Sequence, residues 1–117
     1  MTVKPPDELR QRLLDLADDE FDNIIAFAQQ VVQTPSVNPD LDPESPGEGP
    51  VAALFKERLE QLGFLVEELY VEEGRPNLIS TLAGAGDERR LLFNAHMDTV
   101  RPYENPEWLD PETGETL

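Results

Sequence analysis

The chain has 117 residues, 38% of them hydrophobic, no cysteine, and a formal net charge of −16. That length allows one domain at most, able to bury roughly two-thirds of its unfolded surface. The composition excludes a disulfide framework and thiolate metal ligands. It also excludes a helical bilayer span of roughly 20 apolar residues and the basic surface that nucleic acid and anionic membranes require.

Lys4 and Lys56 are the only lysines among nine basic residues. Such acidity suits either a well-solvated surface or a protein adapted to high salt, where self-repulsion is screened. The N-terminus, MTVKPPDELRQ, has no apolar stretch of the signal-peptide type, so a cytoplasmic location is expected.

Lys4-Pro5-Pro6 is a stiff lead-in, and Asp7 is the expected N-cap of a first helix carrying Leu9, Leu13, Leu14 and Leu16. Asp18 or Asp19 could cap a second segment. There Phe21, Ile24, Ile25, Ala28, Val31 and Val32 form one apolar stripe. The spacing leaves open whether residues 7–33 form one bent helix or two. The acids from Asp15 to Asp22 lack calcium-loop spacing and read as a solvated face.

Pro35 disfavours helix at Thr34, so the helix stops there. Residues 39–50 hold four prolines, two glycines and several acids, which marks a surface loop, read as a connector. Val51, Leu54, Phe55, Leu59 and Leu62 then mark a helix over residues 48–62, with Gly63 as its left-handed C-cap. Residues 64–71 and 77–82 read as strands, and Gly84–Gly86 as a turn.

The next stretch, LLFNAHMDTV over residues 91–100, reads as a third, buried strand. It ends on His96, the single histidine, with Asp98 two residues on. Strand alternation lets the two side chains share a face. A histidine and a carboxylate at a strand end suit a metal site or a proton-transfer site, and a structural histidine is the competing reading. The order of helices followed by strands predicts an α/β fold with helices packed on a mixed sheet. After Val100 the chain is proline-rich and acidic, with Trp108 as an anchor for the loop or part of a substrate wall.

The chemistry available from the residues alone is partial. A catalytic zinc needs about three protein ligands and a water. One imidazole with Asp98, Asp110 and Glu112 is a poor set. Ser36, Ser45 and Ser80 lack the Gly-x-Ser-x-Gly setting of a nucleophile elbow, and the Gly84–Gly86 pair opens onto Asp87-Glu88 rather than a helix.

Four motifs in order carry a family resemblance: Thr34-Pro35-Ser36-Val37-Asn38-Pro39, Leu62-Gly63-Phe64, Arg75-Pro76-Asn77-Leu78, and Leu91 to Val100. From about Phe21 to Val100 the chain resembles the N-terminal part of the zinc-dependent amidohydrolases and peptidases. That family includes aminoacylase, acetylornithine deacetylase, succinyl-diaminopimelate desuccinylase and glutamate carboxypeptidase. The resemblance implies a three-layer zinc-exopeptidase-like catalytic domain, here reaching only about three strands, with residues 1–117 as its N-terminal part.

His96 matches the family's first-motif histidine, a ligand to one of two zincs, with cobalt or manganese as substitutes. Asp98 matches the catalytic aspartate behind it. The implied reaction is hydrolysis of an amide or peptide bond in a small N-acyl amino acid or peptide. The implied assembly is a homodimer through a lid domain that this chain lacks. The later motifs, with the bridging aspartate, the paired glutamates and the second histidine, are also missing from this chain. A fragment inactive alone is therefore expected. The alternative is a non-catalytic acidic α/β module in which His96 is structural.

Overall fold

The computed structural model describes residues 6–86 and 90–101. Trp108, Asp110 and Glu112 lie outside the described residues. Three helices precede a hairpin: α1 (Asp7–Asp19), α2 (Phe21–Gln33), α3 (Gly49–Gln61), β1 (Leu65–Glu72) and β2 (Arg75–Thr81). Helices and strands are combined, so the fold is of the mixed α/β kind.

Residues 7–33 form two helices that meet at Glu20. With φ −90° and ψ 0°, this residue ends α1 and begins α2. Its N–H still donates to the Leu16 carbonyl at 3.1 Å, and its carbonyl accepts from Ile24 N–H at 2.9 Å, so the junction is a kink in a nearly continuous ladder. Neither proline nor glycine stands at this junction. It falls in the acidic run, where like charges three and four apart repel along a helix face. The expected cap at Asp7 shifts by one residue. Pro6 takes the N-cap position, and Asp7 and Glu8 sit in the first turn, where the helix dipole favours negative charge.

α3 ends as its sequence predicts. Phe64 N–H reaches the Leu59 carbonyl at 3.0 Å and Gly63 N–H the Glu60 carbonyl at 2.9 Å, the paired bonds of a Schellman cap. The motif needs a left-handed residue between helix and strand, and Gly63 supplies it at φ +87°. β1 and β2 then pair antiparallel, Leu65 opposite Thr81 through Tyr70 opposite Pro76. An irregularity at Val71 precedes the Gly74 turn. Alternation turns Val66 and Glu68 towards α3, where Lys56 Nζ meets Glu68 Oε2 at 3.1 Å.

The mixed three-layer sheet does not appear among the described residues. The sheet has two antiparallel strands, with α3 on one face and Leu65, Leu69 and Ile79 exposed on the other. Leu91–Val100 is not a buried third strand. Leu91, Leu92 and Phe93 are more than 80% exposed, and the one ladder contact of the stretch is a parallel bridge between Thr99 and Val37. An apolar run becomes a buried strand only where a neighbouring backbone takes its hydrogen bonds and a layer covers it. No described segment does either for residues 91–93. The stripes of α1 and α2 are similarly open. α2 touches α3 through Phe27, whose ring meets Phe55 edge-on with centroids 5.5 Å apart and lies 5.8 Å beneath the Arg58 guanidinium.

Burial is concentrated where the 36–48 loop, the start of α3 and the start of β2 meet, at Ser36, Gly47, Glu48, Val51, Ala52 and Pro76. Its electrostatic centre is the ion pair of Glu48 with Arg75. The guanidinium donates to Glu48 Oε1 from Nη2 at 2.7 Å and to Oε2 from Nε at 3.0 Å. The carboxylate is only 11% exposed, and the fork of two N–H groups satisfies both oxygens. Arg75 thus holds Glu48 below its ordinary carboxyl range against the opposing effect of burial.

Glu48→Ala is expected to lower the thermal midpoint by several degrees, because it leaves a half-buried guanidinium without its main partner. Glu72→Ala removes the longer, exposed contact to Arg75 at 3.4 Å and is expected to leave the midpoint unchanged. Linkage gives the sign of the pH effect. A depressed folded value means the stabilisation is complete above the ordinary glutamate value of 4.5 and is lost as pH falls below it through the folded value. Thermal melts of both variants and the parent at neutral and acid pH check this, and the gap between parent and Glu48→Ala should close in acid.

Candidate metal-facing site

The site is assembled by two stretches sixty residues apart in sequence. Thr99 N–H donates to the Ser36 carbonyl at 2.8 Å, and Asn38 N–H donates to the Thr99 carbonyl at 2.9 Å, which flanks Val37 with a parallel bridge. The Ser36 and Thr99 hydroxyls lie 3.2 Å apart beside it. Arg101 Nη2 adds an outer tie to Asp42 Oδ1 at 3.6 Å. Two of the motifs singled out in the sequence, residues 34–39 and 91–100, are thereby joined.

The 36–48 loop is built to hold this position rather than to act as a plain connector. Asn38 before Pro39 makes an Asx turn, its side-chain Oδ1 accepting from Asp40 N–H at 2.9 Å. Its backbone carbonyl accepts from Leu41 and Asp42. The Ser45 hydroxyl donates to the Val37 carbonyl and accepts from Gly47 N–H. Gly47 is buried at φ +69°, and a Cβ there would stand 3.2 Å from Pro39 Cγ, so a side chain at this position would be strained.

His96 and Asp98 face the same way, as strand alternation predicts, although only the end of the stretch is bridged. His96 Nδ1 is 3.0 Å from Asp98 Oδ1 and 2.9 Å from the Asp98 carbonyl oxygen. Both neighbours are acceptors, so Nδ1 carries the proton, and the lone pair of the neutral ring resides on Nε2. The ring is 85% exposed, whereas Asp98 is partly buried at 31%. Asn38 Nδ2 donates to the other carboxylate oxygen, Oδ2, at 2.8 Å. The Asn38 amide holds the Asp98 carboxyl below its ordinary value; burial opposes it, and the hydrogen bond from His96 adds to the lowering. Asp98 is thus anionic at neutral pH.

A cleft of about 580 Å³ opens beside the pair. His96, Met97 and Asp98 form one wall, Arg75 to Leu78 of β2 another, and Glu48, Phe55 and Leu59 the α3 side. The Arg75-Pro76-Asn77-Leu78 motif therefore lies on the same cleft as His96. Ser80 also lines it, Ser36 is engaged with Thr99, and Ser45 serves the loop. None of these serines has a hydrogen bond to His96 among the described residues.

The donor chemistry suits a first-row divalent cation at one position. A neutral imidazole with its Nδ1 proton held by a carboxylate and its Nε2 open to solvent is the usual disposition of a histidine ligand. Among the described residues no group of three or more histidine or carboxylate side chains is placed to complete a shell around it. No helix among them is long and apolar enough to cross a membrane. No protein-family model matches the chain, and no solved structure matches it.

The residue missed from the sequence is Asn38. Its place in an Asn-Pro pair signalled a turn, but nothing local signalled a partner sixty residues away.

Thr99→Pro removes the N–H that reaches Ser36 and should open the bridge. The expected result is a large rise in hydrogen exchange at the Asn38 backbone amide, with exchange in the β1–β2 hairpin unchanged. Residue-resolved exchange measurements check both.

Proposed function

We propose that this chain is the N-terminal part of the catalytic domain of a dinuclear zinc hydrolase that cleaves an amide or peptide bond, of the deacylase, desuccinylase or carboxypeptidase type. His96 is a metal ligand and Asp98 the aspartate that serves it. The observation that carries this reading is the state of His96: Nδ1 tied to Asp98, Nε2 bare, and the ring exposed at the mouth of a cleft. A histidine kept for structure would bury its ring and spend both nitrogens on protein partners. The meeting of two of the four resemblance motifs on one cleft, with a third bridged to one of them, supports the same reading.

In this mechanism Asp98 keeps the Nδ1 proton in place, which fixes the tautomer and the orientation of the His96 ring. His96 Nε2 offers its lone pair towards the cleft. The Glu48–Arg75 pair lines the same cleft as the dyad. When bound, zinc, or cobalt or manganese in its place, supplies Lewis acidity and a lowered pKa for water. The proton-accepting glutamate and the remaining ligands belong to motifs this chain does not contain, so the chain alone is inactive in this reading. The substrate is a small N-acyl amino acid or peptide, held by residues outside this segment. A cytoplasmic setting and dimerisation through a further domain go with the same proposal.

Equilibrium dialysis against zinc tests the assignment. His96→Ala retains every carboxylate of this acidic chain, so the difference between it and the parent isolates the imidazole. His96→Ala is expected to lose the specific zinc, and Asp98→Ala to bind it about 10–100-fold more weakly. Equal zinc affinity in the parent and His96→Ala would remove the metal assignment.

A further inference from the structure

We infer that Asn38 is the positioning residue of the His96–Asp98 dyad: its side-chain amide fixes the Asp98 carboxylate so that one defined oxygen is presented to the ring. The inference deepens the metal-ligand reading of His96, on which its catalytic consequence rests.

A carboxylate held by one partner is free to rotate about its own axis and to exchange its oxygens. Here both are assigned. Oδ2 accepts from Asn38 Nδ2 at 2.8 Å, and Oδ1 faces His96 Nδ1 at 3.0 Å. The direction of the Asn38 amide is fixed as well. Its Oδ1 accepts from Asp40 N–H at 2.9 Å, a backbone donor that cannot be satisfied by an NH₂ group, so Nδ2 must be the end that meets Asp98. The backbone of Asn38 donates to the Thr99 carbonyl at 2.9 Å, so one residue holds both the chain next to Asp98 and the carboxylate itself. The contacts form a line from the Asp40 N–H through Asn38 and Asp98 to the imidazole. At the last link His96 Nδ1 faces the Asp98 carbonyl oxygen at 2.9 Å as well as Oδ1 at 3.0 Å, and the line leaves Nε2 as its free end. Asn38 does not itself line the cleft and reaches the ring only through Asp98.

Asn38→Asp separates the two roles of the side chain. The new carboxylate still accepts from Asp40 N–H, which preserves the turn. It replaces the donor facing Asp98 with a like charge, which turns the Asp98 carboxylate away.

The readout is the tautomer of His96 in the metal-free chain. It is measured by long-range proton–nitrogen correlation at a pH where the ring is neutral. With a single histidine in the sequence the ring signals need no assignment. The wild-type ring is expected to carry its proton on Nδ1. In Asn38→Asp the ratio is expected to shift several-fold towards the Nε2–H form, with the hairpin amides unmoved. A second measurement does not depend on that variant. One Asn38 side-chain amide proton should exchange more slowly in the wild type than in Asp98→Ala, where a partly exposed residue is changed outside the buried cluster.

An unchanged tautomer ratio in a folded Asn38→Asp, or equal side-chain exchange with and without the Asp98 carboxylate, overturns the inference. The metal reading fails separately. A tautomer shift seen together with equal zinc affinity in wild type and His96→Ala supports the Asn38 contact while removing the zinc.

Discussion

The parallel bridge between Val37 and Thr99 is the constraint on which the site depends. Two backbone hydrogen bonds join a loop that follows α2 to a stretch that follows the hairpin. Without them the His96 segment is a strand-like run with no partner among the described residues. With them Asp98 comes within reach of Asn38, and His96 comes to the edge of the cleft. Closing so long a loop costs entropy that grows only slowly with length, so a short bridge reinforced by side chains can hold it. The reinforcement is dense. The hydroxyls of Ser36 and Thr99, the amide of Asn38, the hydroxyl of Ser45 and the Arg101–Asp42 pair all bind across or within the same junction.

The second constraint is electrostatic. In a chain of net charge −16, carboxylates repel unless each is given a donor. Two of the acids that line the cleft are treated in this way, by different means. Glu48 is held by the guanidinium fork of Arg75, and Asp98 by the neutral amide of Asn38 and the imidazole. A neutral donor at Asn38 stabilises the Asp98 anion without neutralising it. The carboxylate therefore remains a full negative charge behind His96 and an acceptor for its Nδ1 proton.

What could be read from the sequence follows from the range of the interactions involved. α2, α3 and the two hairpin strands are set by local periodicity, and Gly63 ended α3 as expected because its Schellman cap needs only neighbouring residues. The pairing of His96 with Asp98 was also legible, since strand alternation is a local rule. The buried third strand was not borne out. Leu91, Leu92 and Phe93 have the composition of an interior strand, but interior position is a property of a neighbouring strand and covering layer, which those three residues cannot specify. The role of the loop was hidden for the same reason. Prolines and acids in residues 39–50 mark an exposed connector, and Glu48 and Gly47 become buried only because Arg75 and Pro39 come to meet them. Asn38 read as turn chemistry, and its long-range partner became visible only with the bridge.

If His96 offers Nε2 to a metal from a dyad held in this way, the metal itself should report the ring. X-ray absorption at the zinc edge of the zinc-loaded protein is expected to show light ligands at about 2.0–2.1 Å, together with the outer-shell scattering of an imidazole. That scattering should be absent from His96→Ala. A wild-type spectrum without imidazole scattering, or identical spectra from the two proteins, would contradict the assignment of His96 as a ligand.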